Sequence, residues 1–351
     1  MTGKSLYRFQ IYACIRVLTN RHAIFTENLT AMAKARIVFM GTPGFATASL
    51  KALHESGHEI VGVVTVPDKP AGRGQKLHIS DVKQYAVEQG LHILQPEKLK
   101  NPEFVEELRT LDADIFVVVA FRMLPKDVWN IPRLGTFNLH GSLLPQYRGA
   151  APINHAVMNG EKVSGVTTFL IDEAIDTGNI ILRKEEPISN TDTAGTLHDR
   201  LMAVGAATVV ETVDILMKGD PEIIPQEKLA EGQKLFSAPK IFREDCKLNP
   251  EKEAISIYNK VRGLSPYPGA YLVMDFGNDD VQEVKIFETA VKEGISGDFG
   301  KVHTDGKTFL RFETKNNQLE IKSLQSSGKK RLGIEDWLRG VKSTTYDWRV
   351  L

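Results

Sequence analysis

Disulfide chemistry is the first thing this chain of 351 residues lacks. It has 2 cysteines, Cys14 and Cys246, far apart in sequence, so no disulfide framework can be laid out and a reducing cytoplasm is the expected compartment. Neither cysteine stands in a CxxC or CxxxxH spacing, which removes the usual zinc scaffolds, and no metal is expected. No apolar run approaches the roughly 18 uninterrupted residues of a membrane span, so a membrane is not an expected partner. A surplus of one charge sign is missing as well: Lys+Arg 44 and Asp+Glu 44 cancel. Bulk charge does not announce a nucleic-acid binder, and any RNA contact must come from local basic patches.

The charge that is there is unevenly spread. Residues 1–36 carry Lys4, Arg8, Arg16, Arg21, Lys34 and Arg36 against Glu27 alone. The apolar stretch 11–17 within them is broken by Arg16 and lacks a small-residue cleavage site, which excludes a secretory signal. Residues 1–33 are basic and acid-poor like a transit peptide, but poor in serine, and Met32 stands just ahead of the first strand. They read as a disordered or dispensable extension, with organelle targeting as the alternative.

From Arg36 onward the chain alternates. The run Ile37-Val38-Phe39-Met40 is closed by Gly41-Thr42-Pro43-Gly44, a helical pattern covers 45–56, and a second apolar run covers 60–64. Helices near 81–89 and 103–110 and apolar runs at 93–94 and 115–120 continue the series. Repeated βα units predict a doubly wound, mostly parallel α/β sheet. A long helix is predicted over 193–218, and the polar, proline-containing stretch 221–239 suits a linker. Beyond it, short β-type runs at 270–276, 284–289, 308–313 and 319–324, with helices near 251–262 and 334–339, predict a small β-barrel, with a sandwich as the alternative. The expected units are thus the extension 1–33, a domain over 34–220, the linker 221–239 and a second domain over 240–351.

Four stretches have chemical potential. The turn 41–44 sits between strand and helix, where backbone N–H groups can face an anion. It lacks GxGxxG spacing, and so reads as a tight βα turn beside a crevice rather than a nucleotide site. In the strand-like run Thr136-Phe137-Asn138-Leu139-His140, residues two apart share a face, which puts the Asn138 amide beside the His140 imidazole. That spacing describes a shared pocket, and equally two polar residues satisfied by backbone at a strand end. Asp176 lies in a turn, where a carboxylate is ordinarily a turn former; only proximity to His140 would give it chemistry, and periodicity cannot establish that. The loop 67–77 gathers Lys69, Arg73 and Lys76 among Gly and Pro, as a solvated loop or a phosphate contact would.

Taken together, Ile37-Val38-Phe39-Met40-Gly41-Thr42-Pro43, the loop 67–77, Asn138 through Pro145, Arg148-Gly149-Ala150-Ala151-Pro152 and the stretch 172–178 resemble the formyltetrahydrofolate-dependent formyltransferases. The resemblance runs from about Arg36 to the end of the chain and is closest to the branch that formylates methionyl-initiator tRNA. The Asn-x-His-x-Ser-Leu-Leu-Pro run with an aspartate 36 residues after the histidine is its most specific part.

The resemblance implies a formyltransferase-like Rossmann-type domain followed by an OB-like tRNA-binding barrel. It implies Asn138, His140 and Asp176 as the catalytic trio. It also implies a folate site at Ser142, Leu143, Leu144 and Pro145, with Arg122, Met123 and Leu124 around the pterin. Lys69, Arg73 and Lys76, and on the barrel Lys329, Lys330 and Arg331, are implied as tRNA contacts. The expected formyl donor is 10-formyltetrahydrofolate, the expected partner initiator methionyl-tRNA, and the expected state a monomer. Asp176 is expected to raise the pKa of His140, so that a protonated imidazole and the Asn138 amide both donate to the oxyanion. Other amine acceptors, such as glycinamide ribonucleotide or an amino sugar nucleotide, stay open at this point. So does a non-catalytic RNA-binding protein with a relict site.

Overall fold

Consecutive apolar residues suit a strand covered on both faces. In the computed structural model Ile37, Val38, Phe39 and Met40 are all fully buried in β1 (Arg36–Gly41), an interior strand of such a sheet. The structure describes residues 34–71, 76–219, 221–277, 279–294, 297–341 and 346–351, so the expected extension 1–33 lies outside the described residues.

From β1 the chain runs through α1 (Gly44–Glu55) to β2 (Glu59–Val64). The loop expected at 67–77 contains a small antiparallel hairpin, β3 (Lys69–Ala71) with β4 (Lys76–His78). Next, α2 (Asp81–Glu88) starts where the Ser80 side chain accepts from the Lys83 amide at 3.1 Å, and leads to β5 (Ile93–Leu94). Then α3 (Pro102–Thr110), capped by Asn101 and opened by a proline that needs no N–H there, returns to β6 (Ile115–Val119) on the other side of β1. The rest of the domain is α4 (Lys126–Trp129), β7 (Thr136–His140), α5 (Pro152–Met158), β8 (Val163–Leu170) and β9 (Ile180–Pro187).

The strand order is β5-β2-β1-β6-β7-β8-β9. The first five strands are parallel, and β8 and β9 are antiparallel additions. The expected doubly wound, mostly parallel sheet is therefore present. Its strand order reverses between β1 and β6, which opens a crevice at the carboxyl ends of those strands. The long helix α6 (Ala194–Lys218) begins at a reciprocal capping box between Thr193 and Thr196. Gly205 lets it settle on β7, for a Cβ there would stand 2.8 Å from Leu139 Cδ2. Among the described residues no helix is long and apolar enough to cross a membrane.

Residues 221–239, expected to be a linker, are folded onto the first domain instead. Ile224 exchanges two backbone hydrogen bonds with Ile180, at 2.8 and 2.9 Å. A short helix α7 (Gln226–Ala230) follows, and the Ala238 amide then donates to the Arg148 carbonyl at 2.7 Å. Polar composition suggested a tether, but backbone groups of Ile224, Phe236 and Ala238 pair with the first domain.

The second domain opens with α8 (Ala254–Leu264) and continues as β10 (Ala270–Asp275), β11 (Val281–Lys292), β12 (Val302–Thr304), β13 (Leu310–Glu313), β14 (Gln318–Ser326), β15 (Leu332–Gly333), α9 (Ile334–Arg339) and β16 (Arg349–Val350). All its strand pairs are antiparallel, in the order β12-β13-β14-β11-β10-β16, with β15 beside β14. β16 bonds to β10 on one side, while Val350 donates to the Gly300 carbonyl at 2.8 Å and Val302 to the Trp348 carbonyl at 3.1 Å on the other. This closes the barrel around Leu272, Met274, Ile286, Phe312, Ile321 and their neighbours.

The two domains meet along α5 and α8. Asn154 Nδ2 donates to the Gly263 carbonyl at 2.7 Å, and the buried Arg262 donates through Nη1 to the Asp192 carbonyl at 2.5 Å. The Asp192 carboxylate accepts from Arg200 twice at 2.8 Å, from the Ser189 amide at 2.7 Å and from Thr196 Oγ1 at 2.9 Å. Those donors hold its acid well below the usual carboxylate range, the Arg200 guanidinium most of all. Asp192→Asn should therefore lower the unfolding free energy by about 1–3 kcal/mol at pH 7 in urea melts. An acid depressed on folding stabilises fully above its unfolded pKa of about 3.9, so the gap between the two proteins should close as pH falls below that value.

Candidate active site

The carboxyl ends of β1, β6 and β7 open into a cleft of about 910 Å³. Pro43 and Phe45 line it after β1, and Ala120 through Leu124 after β6. From β7 come Asn138 and His140, two apart and on one face as the strand period demands, while Phe137 is buried. The loop 171–179 starts beside the first residue of β7, where the Ile171 amide donates to the Thr136 carbonyl at 2.8 Å. It then runs back along the strand to bring Asp176 to His140. The walls are largely apolar, and Met123 and Ile175 line the cleft while remaining 76% and 65% exposed. Such a surface with a few convergent polar groups is what a small-molecule site offers.

The Asn138 side-chain amide has no hydrogen-bond partner among the described residues and faces the cleft half-buried. His140 is buried, and its Nε2 lies 2.8 Å from the Tyr147 carbonyl. A carbonyl only accepts, so Nε2 carries a proton, and in the neutral ring Nδ1 presents a lone pair. The nearest acid to Nδ1 is Asp176 Oδ2 at 3.8 Å, too long for a hydrogen bond. Burial pushes the imidazole pKa below its ordinary value, against the smaller upward pulls of the Asp176 charge and the Tyr147 carbonyl. The expectation of a raised pKa is corrected on that ground: the charge of Asp176 acts as foreseen, but desolvation outweighs it. The resting group is a neutral imidazole, a proton acceptor rather than a second donor.

Asp176 adopts left-handed backbone, φ 55°, and its Oδ2 accepts from the Gly149 amide at 3.0 Å. Gly149 itself has φ 125° and no room for a side chain, since a Cβ would lie 2.4 Å from the Ala238 carbonyl oxygen. Tyr147 is also left-handed, φ 61°; its amide donates to the Phe236 carbonyl at 2.7 Å, and its ring stacks on Phe236 with centroids 6.0 Å apart. The Tyr147 hydroxyl donates to Glu161 at 2.5 Å. Behind Asp176 lies Gln226, bonded to Arg148 and to the loop backbone. Tyr147, Gln226 and Phe236 were not foreseen, and no periodicity or motif in this chain marks a glutamine or a phenylalanine in a polar stretch as site support. His198, 5.2 Å from Phe45 between ring centroids, also lines the cleft unforeseen.

Of the expected folate segment, Arg122, Met123 and Leu124 line the cleft, but Ser142, Leu143, Leu144 and Pro145 do not. Ser142 Oγ donates to the Gln146 carbonyl at 2.6 Å, and Thr167 ties the turn by donating to the Ser142 carbonyl and accepting from the Leu144 amide. Leu144 is fully buried against Phe169 and Ile180. The turn is thus tied to β8 and packed on β8 and β9. The Arg122 guanidinium is likewise engaged, donating to the carbonyls of Pro96 and Glu97.

Of the basic residues, Lys69 is exposed on β3, Lys76 lies on β4, and Arg73 falls outside the described residues. Lys329 and Lys330 are exposed on the barrel. Arg331 covers the Phe287 ring at 4.7 Å and donates to Ser323 Oγ at 2.7 Å. None of the three barrel cations lines the cleft. Among the described residues no group of three or more His, Cys, Asp or Glu is placed to hold a metal ion.

Comparison with known proteins agrees with this geometry. The family described as Formyl transferase matches residues 35–213, and Formyl transferase, C-terminal domain, matches residues 240–342. The chain is 53% identical over 311 residues to a methionyl-tRNA formyltransferase of Parabacteroides distasonis, covering 88% of this chain and 96% of that one. It is 50% identical over 310 residues to one of Bacteroides fragilis, with the same coverage. Among solved structures, HypX from Aquifex aeolicus in complex with tetrahydrofolic acid shares the fold with TM-score 0.58 and 19% identity, over 91% of this chain and 51% of that chain. An N-formyltransferase from Helicobacter canadensis in complex with folinic acid and dTDP-3-aminofucose does so with TM-score 0.59 and 22% identity, over 83% and 99%.

The opposing influences on His140 make a direct prediction. Asp176→Asn removes the larger of the two influences that pull its pKa up and leaves only the Tyr147 carbonyl against burial, so the imidazole should titrate at lower pH in the variant than in the unsubstituted protein when followed by NMR.

Proposed function

We propose the following reaction for a chain that belongs to the formyl transferase family: the formyl group of 10-formyltetrahydrofolate passes to the α-amine of methionyl-initiator tRNA. The observation that carries this reading is the pair of polar atoms on β7 without a hydrogen bond, the Asn138 amide and His140 Nδ1, at one apolar-walled cleft. An amide donor and a neutral base side by side are what acyl transfer to an amine requires.

The amine nitrogen bonds to the formyl carbon, and the formyl oxygen takes up negative charge. The Asn138 N–H groups donate to that oxygen; one such donor contributes about 3–4 kcal/mol in comparable sites. His140 Nδ1 takes the proton the amine sheds, becoming an imidazolium beside the Asp176 carboxylate. The same proton is then delivered to N10 as the carbon–nitrogen bond to folate breaks. Formylated ester and tetrahydrofolate leave, and the imidazole is neutral again. Asp176 thus acts on the charged intermediate state of His140 rather than on its resting state. The pterin is read as lying along Met123 and Leu124, and the initiator tRNA as held through its phosphates by Lys69, Arg73 and Lys76 and by Lys329, Lys330 and Arg331 on the barrel.

One feature favours tRNA over a small amine as acceptor: the chain matches relatives named methionyl-tRNA formyltransferase along 96% of their length. The assay offers initiator methionyl-tRNA, elongator methionyl-tRNA and glycinamide ribonucleotide in parallel with 10-formyltetrahydrofolate. Transfer to the initiator species alone is expected, and transfer to the small amine alone would overturn the acceptor. Asn138→Ala should lower kcat by at least about 10²-fold with the fold intact; a near-normal single-turnover rate removes Asn138 from the mechanism.

A further inference from the structure

Gln226 is fully buried although it belongs to the segment that joins the two domains. Its amide orientation follows from its partners. Arg148 Nε and Nη2 donate to Oε1 at 3.0 and 2.7 Å, and a guanidinium can only donate. Nε2 then donates to the carbonyls of Asp176 and Gly178, at 3.0 and 2.7 Å, and carbonyls can only accept. Rotating the amide would set donor against donor and acceptor against acceptor at once.

The two carbonyls flank a backbone that needs holding. Asp176 sits at φ 55°, a region residues with a side chain occupy sparingly unless their surroundings impose it. With the loop pinned on both sides of residue 177, the carboxylate reaches the Gly149 amide at 3.0 Å and stands 3.8 Å from His140 Nδ1. The Ile224–Ile180 backbone pair fixes the chain two residues before Gln226, so the clamp is itself anchored.

We infer that Gln226 is a positioning residue for Asp176, and that the segment joining the two domains thereby supports the active site from behind. The inference rests on the reaction proposed above for its kinetic consequence, but not for the link between Gln226 and the His140–Asp176 pair.

The test uses the full chain. Gln226→Leu removes the acceptor and both donors, whereas Gln226→Glu keeps an acceptor for Arg148 and removes the donors only. Formyl transfer to initiator methionyl-tRNA, folded fraction by circular dichroism and the NMR titration of His140 are measured on the same preparations. Expected are a fall in kcat of about 10- to 100-fold in both variants, an unchanged KM for 10-formyltetrahydrofolate, intact folding, and His140 titrating at lower pH in the leucine variant as the Asp176 charge moves away. A folded leucine variant with unchanged kcat and unmoved titration overturns the inference. So does a rate loss no larger than the loss of folded protein with the titration unmoved. If the leucine variant does not fold, kcat of the folded glutamate variant decides, and an unchanged value overturns it. If the unsubstituted protein formylates no acceptor, the proposed reaction falls, and the titration alone then upholds or overturns the link.

Discussion

The site depends on one hydrogen bond, 2.8 Å from His140 Nε2 to the Tyr147 carbonyl. Because a carbonyl cannot donate, the bond commits the imidazole to a single tautomer and turns Nδ1 toward the cleft and toward Asp176. The carbonyl points the right way only because Tyr147 holds left-handed backbone, and that turn is secured by the Phe236 carbonyl, the Phe236 ring and the Glu161 carboxylate. A proton acceptor at the heart of the cleft is thus oriented by main-chain geometry several residues away, with burial keeping it neutral. A charge-bearing partner held 3.8 Å off, without a hydrogen bond, leaves that neutrality in place and still favours the cation once it forms.

The sheet supplies the rest. Parallel strands bring several carboxyl ends to one edge, and the reversal of strand order between β1 and β6 spreads the loops that follow them. Two antiparallel strands then complete the sheet, and the loop between them crosses back along β7 to deliver a carboxylate that no parallel connection would place there. The site draws on both habits: β7 presents Asn138 and His140 by simple alternation, and a long excursion brings the third group.

What could be read in advance follows the same division. Helices and strands with strong local periods were legible to within a residue or two, as for 45–56 against Gly44–Glu55 and 334–339 against Ile334–Arg339. So was the shared face of Asn138 and His140, since period two is a local property. Segments with mixed local signals were missed, among them α5 with its sequence Pro-Ile-Asn-His-Ala-Val-Met and β9, whose apolar start gives way to charges. Asp176 was assigned from resemblance, and nothing within 171–179 says that it folds back on residue 140. The buried state of Ser142 and Leu144, the clamp at Gln226 and the net direction of the His140 pKa all depend on what lies across the fold. No count of charges along the chain reveals which of desolvation and attraction is larger.

The second domain closes through its last strand. β16 is two residues long, yet it bonds to β10 on one side and to the segment before β12 on the other. Cutting the chain before Trp348 would therefore strip hydrogen-bond partners from two strands at once and uncover the side of the core that Trp348 and Val350 now seal. Unpaired strand edges beside bare apolar surface are templates for pairing between molecules. The few residues of the seam consequently guard against self-association out of proportion to their number, and a truncated chain would declare its defect by precipitating rather than by losing its cleft.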